Sequence, residues 1–227
     1  MHVRSKTFVS VWLTGFVCLG ATAAASAVPP GSSRTTVLDA AHQGEGNKGV
    51  SFRPTDTTGG DAFFVLTART RIDPSDPFGP DAVGETGTVR VDKNAKGTGV
   101  QDINGGGSKG ISGGGGHQNE ELIFTFDAPV PAASILLDLT GVDFSERSDD
   151  DDPVIFISSS GSTTFDHTIF ESEIQSAFTS TGSHTGRVDF AQFTSLPVDL
   201  AITAFKLRET HGHLAVIQIV NALGVTG

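Results

Sequence analysis

Tyrosine is absent from this chain, and cysteine, methionine and tryptophan occur once each, as Cys18, Met1 and Trp12. One cysteine cannot close an intramolecular disulfide, so stability has to come from a core, a bound ion or both. Without Tyr or Trp the chain lacks the rings most used as platforms for sugars; Phe can stack on a sugar but carries no polar tip. Basic residues are also scarce: 15 Lys and Arg face 26 Asp and Glu, a net charge of −11. That balance argues against nucleic acid or an anionic membrane surface as partner and suits divalent cations. Motifs with a fixed chemistry are missing too. There is no H-E-x-x-H, no EF-hand spacing, no G-x-S-x-G elbow, and no P-loop or G-x-G-x-x-G between a strand and a helix.

The N-terminus does carry a pattern. His2, Arg4 and Lys6 precede an almost uncharged apolar stretch, Phe8 to Ala25, which ends in Ala25-Ser26-Ala27 before Val28-Pro29-Pro30. A basic start, an apolar middle and a small-x-small end are the marks of a secretory signal peptide. Cleavage after Ala27 is expected, then a linker over 28–34 and a single β-sandwich domain over 35–227. The mature chain would keep 227 − 27 = 200 residues, with 15 − 2 = 13 basic against 26 acidic side chains and no Cys, Met, Trp or Tyr. Such a protein is expected to be secreted, extracellular or periplasmic, with no membrane span in its mature part.

Short apolar runs broken by Gly, Pro and Asp make up the rest. Strands are expected at Ala62–Thr67, Thr86–Val91, Glu121–Asp127, Ala133–Leu139, Pro153–Ser158, Thr163–Ile169, Gly186–Phe193, Leu200–Leu207 and Leu214–Asn221. Glu121–Asp127 alternates well, with Leu122, Phe124 and Phe126 on one face. Pro129 and Pro131 are expected to break the chain after it. Only Phe170–Phe178 has helical spacing, with Phe170, Ile174 and Phe178 four apart. The gaps are too short and too polar for a parallel α/β sheet. An all-β fold follows, an antiparallel β-sandwich or jelly roll with at most one or two short helical turns.

Two stretches draw attention chemically. Gly97-Thr98-Gly99-Val100-Gln101-Asp102, Gly105–Gly107 and Gly113–Gly116 lead into Asn119-Glu120-Glu121. Calcium takes six to eight oxygens, some of them backbone carbonyls that a glycine-rich loop can offer. Asp102, Asn104, Asn119, Glu120 and Glu121 are therefore candidate Ca2+ ligands, the alternative being a solvated surface loop. In DFSERSDDDD, Asp143, Asp150 and Asp152 are candidates for a second, weak calcium site, against a solvated acidic turn. His211-Gly212-His213 would hold two imidazoles on one face of a strand; a third metal ligand could be Glu209, His184 or His117, but an exposed turn between strands is the simpler reading.

GTGV, the glycine-rich loop and then NEELIFTFDAPVPAASILLDL resemble secreted bacterial jelly-roll ectodomains of the kind often carrying a PEP-CTERM sorting tail. The resemblance covers roughly residues 97 to 221 and rests on Gly97, Gly99, Val100, Glu121, Leu122, Phe124, Phe126 and Asp127. It implies a β-sandwich, export and a surface or matrix role. The chain departs from that group in having no Pro-Glu-Pro motif, apolar tail or basic end. The function expected is an exported, non-catalytic β-sandwich with a structural calcium site and an extracellular binding or matrix role, toward a polysaccharide or the matrix itself. The alternative is a secreted glycan-active hydrolase or lyase on the same fold.

Overall fold

A computed structural model describes residues 35–40, 43–55, 59–73, 75, 78–80, 82, 84–92, 97–102, 110–113, 119–142, 144, 152–160 and 164–222. The leader and linker expected over 1–34 lie outside the described residues. In chain order the strands are β1 (Thr35–Asp39), β2 (Gly46–Gly49), β3 (Ser51–Phe52), β4 (Phe64–Thr70), β5 (Glu85–Asp92), β6 (Gly97–Asp102), β7 (Ile111–Gly113), β8 (Glu120–Pro131), β9 (Ile135–Thr140), β10 (Pro153–Ser159), β11 (His167–Ile169), β12 (Phe178–Gly182), β13 (Thr185–Asp189), β14 (Ala201–Glu209) and β15 (Gly212–Ala222). One α-helix, α1 (Glu171–Ala177), and two single 3-10 turns, Ala132–Ser134 and Phe190–Gln192, complete the set.

All the pairings are antiparallel, and they form two layers. The first runs β11-β10-β14-β8-β4 and the second β6-β15-β9-β13-β12. Strand β5 belongs to both: Glu85 and Thr86 pair with β4, then Gly87–Asp92 pair with β6. A strand that changes layer is how a sandwich turns its corner. The sheet stays open, because β11 and β12 end the path without meeting.

Two-residue periodicity builds the interior. On β4, Phe64, Leu66 and Ala68 point inward; on β8 they meet Leu122, Phe124 and Phe126; on β14, Phe205 and Leu207. The second layer answers with Val89, Val100, Leu137, Leu139, Val188 and Val216. Phe rings are the largest of the fully buried apolar side chains. Phe124 stacks on Phe205 at 4.3 Å and 12°, and Phe190 meets the edge of Phe205 at 5.3 Å.

Four expectations change in detail. Pro129 and Pro131 do not break β8, which continues to pair with β14 through Pro131. Beyond Phe126 the strand has lost β4 as a neighbour. The Ala132 amide reaches toward β14, to Leu200 O at 2.8 Å, so the missing N–H of Pro131 faces the vacated side. The strand expected at Gly186–Phe193 ends at Asp189, whose carboxylate accepts from the Ala191 amide and turns the chain into a 3-10 turn. In place of Thr163–Ile169, only His167–Ile169 is strand among the described residues. Finally, the glycine-rich region is not all loop: β6 and β7 lie within it. No helix among the described residues is long and apolar enough to cross a membrane.

Candidate functional site

Register brings several strand ends to one end of the sandwich. Strands β8 and β10 start there and β14 ends there, since Glu120 pairs with Glu209 and Glu209 with Pro153. Strand β4 ends beside the start of β5, at Thr70 opposite Glu85, and β9 ends at Thr140 opposite Ala215. Asp102, Asn119, Asp152 and the turn at Thr210 and His211 stand at this end.

Glu120 and Glu121 do not come together. Adjacent residues of a strand face opposite sides, and both carboxylates are buried, at 4% and 0% exposure, in different surroundings. Glu121 faces outward from the first layer. Its Oε2 accepts from Arg208 Nε at 3.1 Å and Nη2 at 2.9 Å, while Oε1 lies 3.9 Å from both Lys206 Nζ and Arg69 Nη1. Arg208 is fully buried, with its guanidinium 4.6 Å over the Phe156 ring, and donates to Gly79 O at 3.0 Å. Lys206 donates to Pro80 O at 2.6 Å and sits over Phe165 at 4.0 Å. Cross-strand pairing explains the cluster: Arg69, Glu121 and Arg208 are successive partners on β4, β8 and β14. Arg208 and Lys206 tie Gly79 and Pro80 down over the outer face, and Glu121 belongs to that network.

Glu120 faces inward. It is the direct partner of Glu209, which is itself fully buried. Glu120 Oε2 accepts from the Ser112 amide at 2.9 Å. Glu209 Oε1 accepts from the Asp152 amide at 2.8 Å and the His211 amide at 3.2 Å. The Asp152 carbonyl accepts in turn from the amide and hydroxyl of Thr210, at 3.3 and 3.0 Å. Asp152 is thereby stapled to the β14–β15 turn, within one hydrogen bond of the carboxylate opposite Glu120. Asn119 is buried at 4% with φ 20°, and its carbonyl accepts from the Ile72 amide at 3.1 Å; its backbone role is to turn the chain into β8. Asp102 is the last residue of β6, opposite Gly87, at this same end. Asn104, Asp143 and Asp150 lie outside the described residues. No group of three or more His, Asp or Glu converges as a metal centre among the described residues.

The two histidines separate. His213 enters β15, where its Nδ1 is 3.0 Å from Ser112 Oγ, and His211 lies in the turn before it, both being exposed. Sequence reasoning missed Ser112 and gave Glu209 only a minor part. The signal for Glu209 was there: EEL opening β8 and LRE closing β14 mirror each other, and an antiparallel pairing of the two ends matches acid with acid on one face and acid with base on the other. Ser112, in a three-residue strand between glycine runs, left no periodicity to find.

Several carboxyl and guanidinium groups are shifted by their partners. The Arg53 side chain, hydrogen-bonded to Asp127 at 2.7 and 2.8 Å, holds the Asp127 carboxyl below its ordinary value, and Asp127 raises Arg53 in return. Asp138 raises Arg187 in the same way, through hydrogen bonds of 2.6 and 2.8 Å. Burial pushes Asp166 up, but the hydroxyl and amide of Ser159 outweigh it and leave the carboxyl lowered. Glu173 is likewise lowered: burial opposes, and bonds from Ser195 and Thr194 prevail. No protein-family model, no curated protein and no solved structure matches the chain.

Proposed function

We propose that the protein is an exported, non-catalytic β-sandwich whose loop-bearing end is organised by a hard divalent cation, calcium, and serves extracellular binding or matrix assembly. One observation carries this reading: Glu120 and Glu209 stand directly opposite each other across β8 and β14, both buried. Like charges opposite each other on a sheet are destabilising. A cation between or beside them reverses the sign of that term. The donor chemistry fits calcium, which takes carboxylates and carbonyls and not thiols. Asp152 adds an acidic residue beside Glu209, and the acidic stretch from Asp143 continues from it. Export rests on the N-terminal pattern.

Equilibrium dialysis of calcium against the purified protein tests this. Calcium bound in near-unit ratio, and lost in Glu120→Gln and Glu209→Gln but retained in Asp127→Asn, is the expected result. Binding unaffected by either glutamine variant overturns the assignment.

A hydrolase reading draws on the Ser112–His213 pair at 3.0 Å. Ser112 is 5% exposed and its amide donates to Glu120, so its hydroxyl is not presented to an incoming substrate. Chromogenic esters and glycosides should show no turnover that Ser112→Ala removes; turnover abolished by that variant would establish the hydrolase instead.

A further inference from the structure

The edge of the second layer holds a groove. On β13 the inward positions run Val188, then Gly186; on β12 the matching positions are Phe178 and Ser180. Beside this hairpin the groove opens to solvent, flanked by α1, Val142 and Phe144. The opening measures about 390 Å³, and its walls include Phe144, Phe178, Gln175, Ser180, His184 and Thr185. That is the size of a small-ligand site.

Its construction is specific. Phe178 and Phe144 meet edge to face, 5.1 Å apart at 77°. The Phe178 ring lies across Gly186, where any Cβ would collide with it. Glycine at 186 therefore lets the ring lie down and form the floor. The Gln175 amide donates to Phe144 O at 3.3 Å, which fixes that side chain at the rim. His184 holds φ 56°, a region uncommon for residues other than glycine, and its carbonyl accepts from the Gly141 amide at 2.7 Å.

We propose that this groove is a subsite for a neutral saccharide unit. Ring faces, hydroxyls, an amide and an imidazole match a ligand with apolar C–H faces and a hydroxyl rim. No Lys, Arg, Asp or Glu stands among the described lining residues, so nothing there selects a carboxylate, sulfate or phosphate. The net charge of −11 disfavours polyanions further. A peptide adding to β12 as an extra strand fits less well. The Ser180 hydroxyl occupies Gly182 O at 3.1 Å, and the register slips between Ser180 and Gly182, both of which blunt the edge. The proposal rests on the binding role above, but not on calcium.

Affinity gel electrophoresis of the full chain tests it, with mixed-linkage β-glucan, galactomannan and xylan as neutral probes and alginate as the anionic one, each in calcium and in chelator. Retardation by at least one neutral polymer is expected, weakened at least tenfold in Phe144→Ala and in Gln175→Ala. The second variant alters an exposed side chain, and unchanged melting shows that its fold is intact. Retardation by none of the neutral polymers, by alginate alone, or with equal strength in Gln175→Ala overturns the subsite. Binding that persists in chelator keeps the subsite even if the cation assignment fails; a calcium-stabilised protein that binds none of the neutral polymers removes the subsite alone.

Discussion

At the scale of residues, the buried charges decide most. Glu121 and Arg208 are each fully buried and bonded through two guanidinium nitrogens. Breaking such a pair from one side leaves a stranded ion and costs about 3–5 kcal/mol, whereas replacing both partners by apolar groups can be neutral. Arg208→Met should therefore lower the urea midpoint sharply, and Glu121→Leu with Arg208→Met should recover most of the loss. A single variant as stable as the parent would contradict the network. Arg53 and Asp127 act in the opposite regime, with the Asp127 side chain 51% exposed. Its carboxyl is lowered in the folded state, so its contribution is present above the ordinary value of 3.8 and disappears as pH falls through the folded value. Solvent screening limits it to about 1 kcal/mol or less. Asp127→Asn should be less stable than the parent at about neutral pH, and the difference should vanish near pH 2; denaturation at the two pH values reads it.

At the scale of elements, glycine makes close approach possible. A Cβ on Gly99 would strike the Gly110 backbone, and one on Gly110 would strike Leu214 O and the His213 ring. Strands β6, β7 and β15 lie side by side only because those positions carry no side chain. Gly110→Ala should cost about 1–3 kcal/mol as an overpacked site and should speed amide exchange in Ile111–Gly113 first; protection equal to the parent there would contradict it. The same elements show what was legible beforehand. Strand β8 was readable because Leu122, Phe124 and Phe126 alternate with residues of another face. Helix α1 was readable from its four-residue spacing, although only Ile174 of the three spaced residues is fully buried while Phe170, 52% exposed, pairs with Phe78. Strands β1 to β3, β6, β7 and β12 were not readable, being short or rich in glycine and, for most of them, held by partners distant in the chain, as β1 is by β15. The site followed the same rule. Acidic residues were visible locally, but which of them face each other depends on pairing Glu120 with a residue 89 positions later, 209 − 120.

At the scale of the whole molecule, an acidic chain sets two buried carboxylates opposite each other at one end of the sandwich. A ligand that binds only the folded state adds stability by mass action, about 2.7 kcal/mol at a hundred times its dissociation constant. For a domain of this size each kcal/mol moves the melting temperature by about 2–4 °C. Scanning calorimetry of the full chain, in saturating calcium and in chelator, reads that term directly. The account predicts a melting temperature higher by about 5–10 °C in calcium, with the difference abolished in Glu209→Gln. A melting temperature that is the same in calcium and in chelator would contradict it.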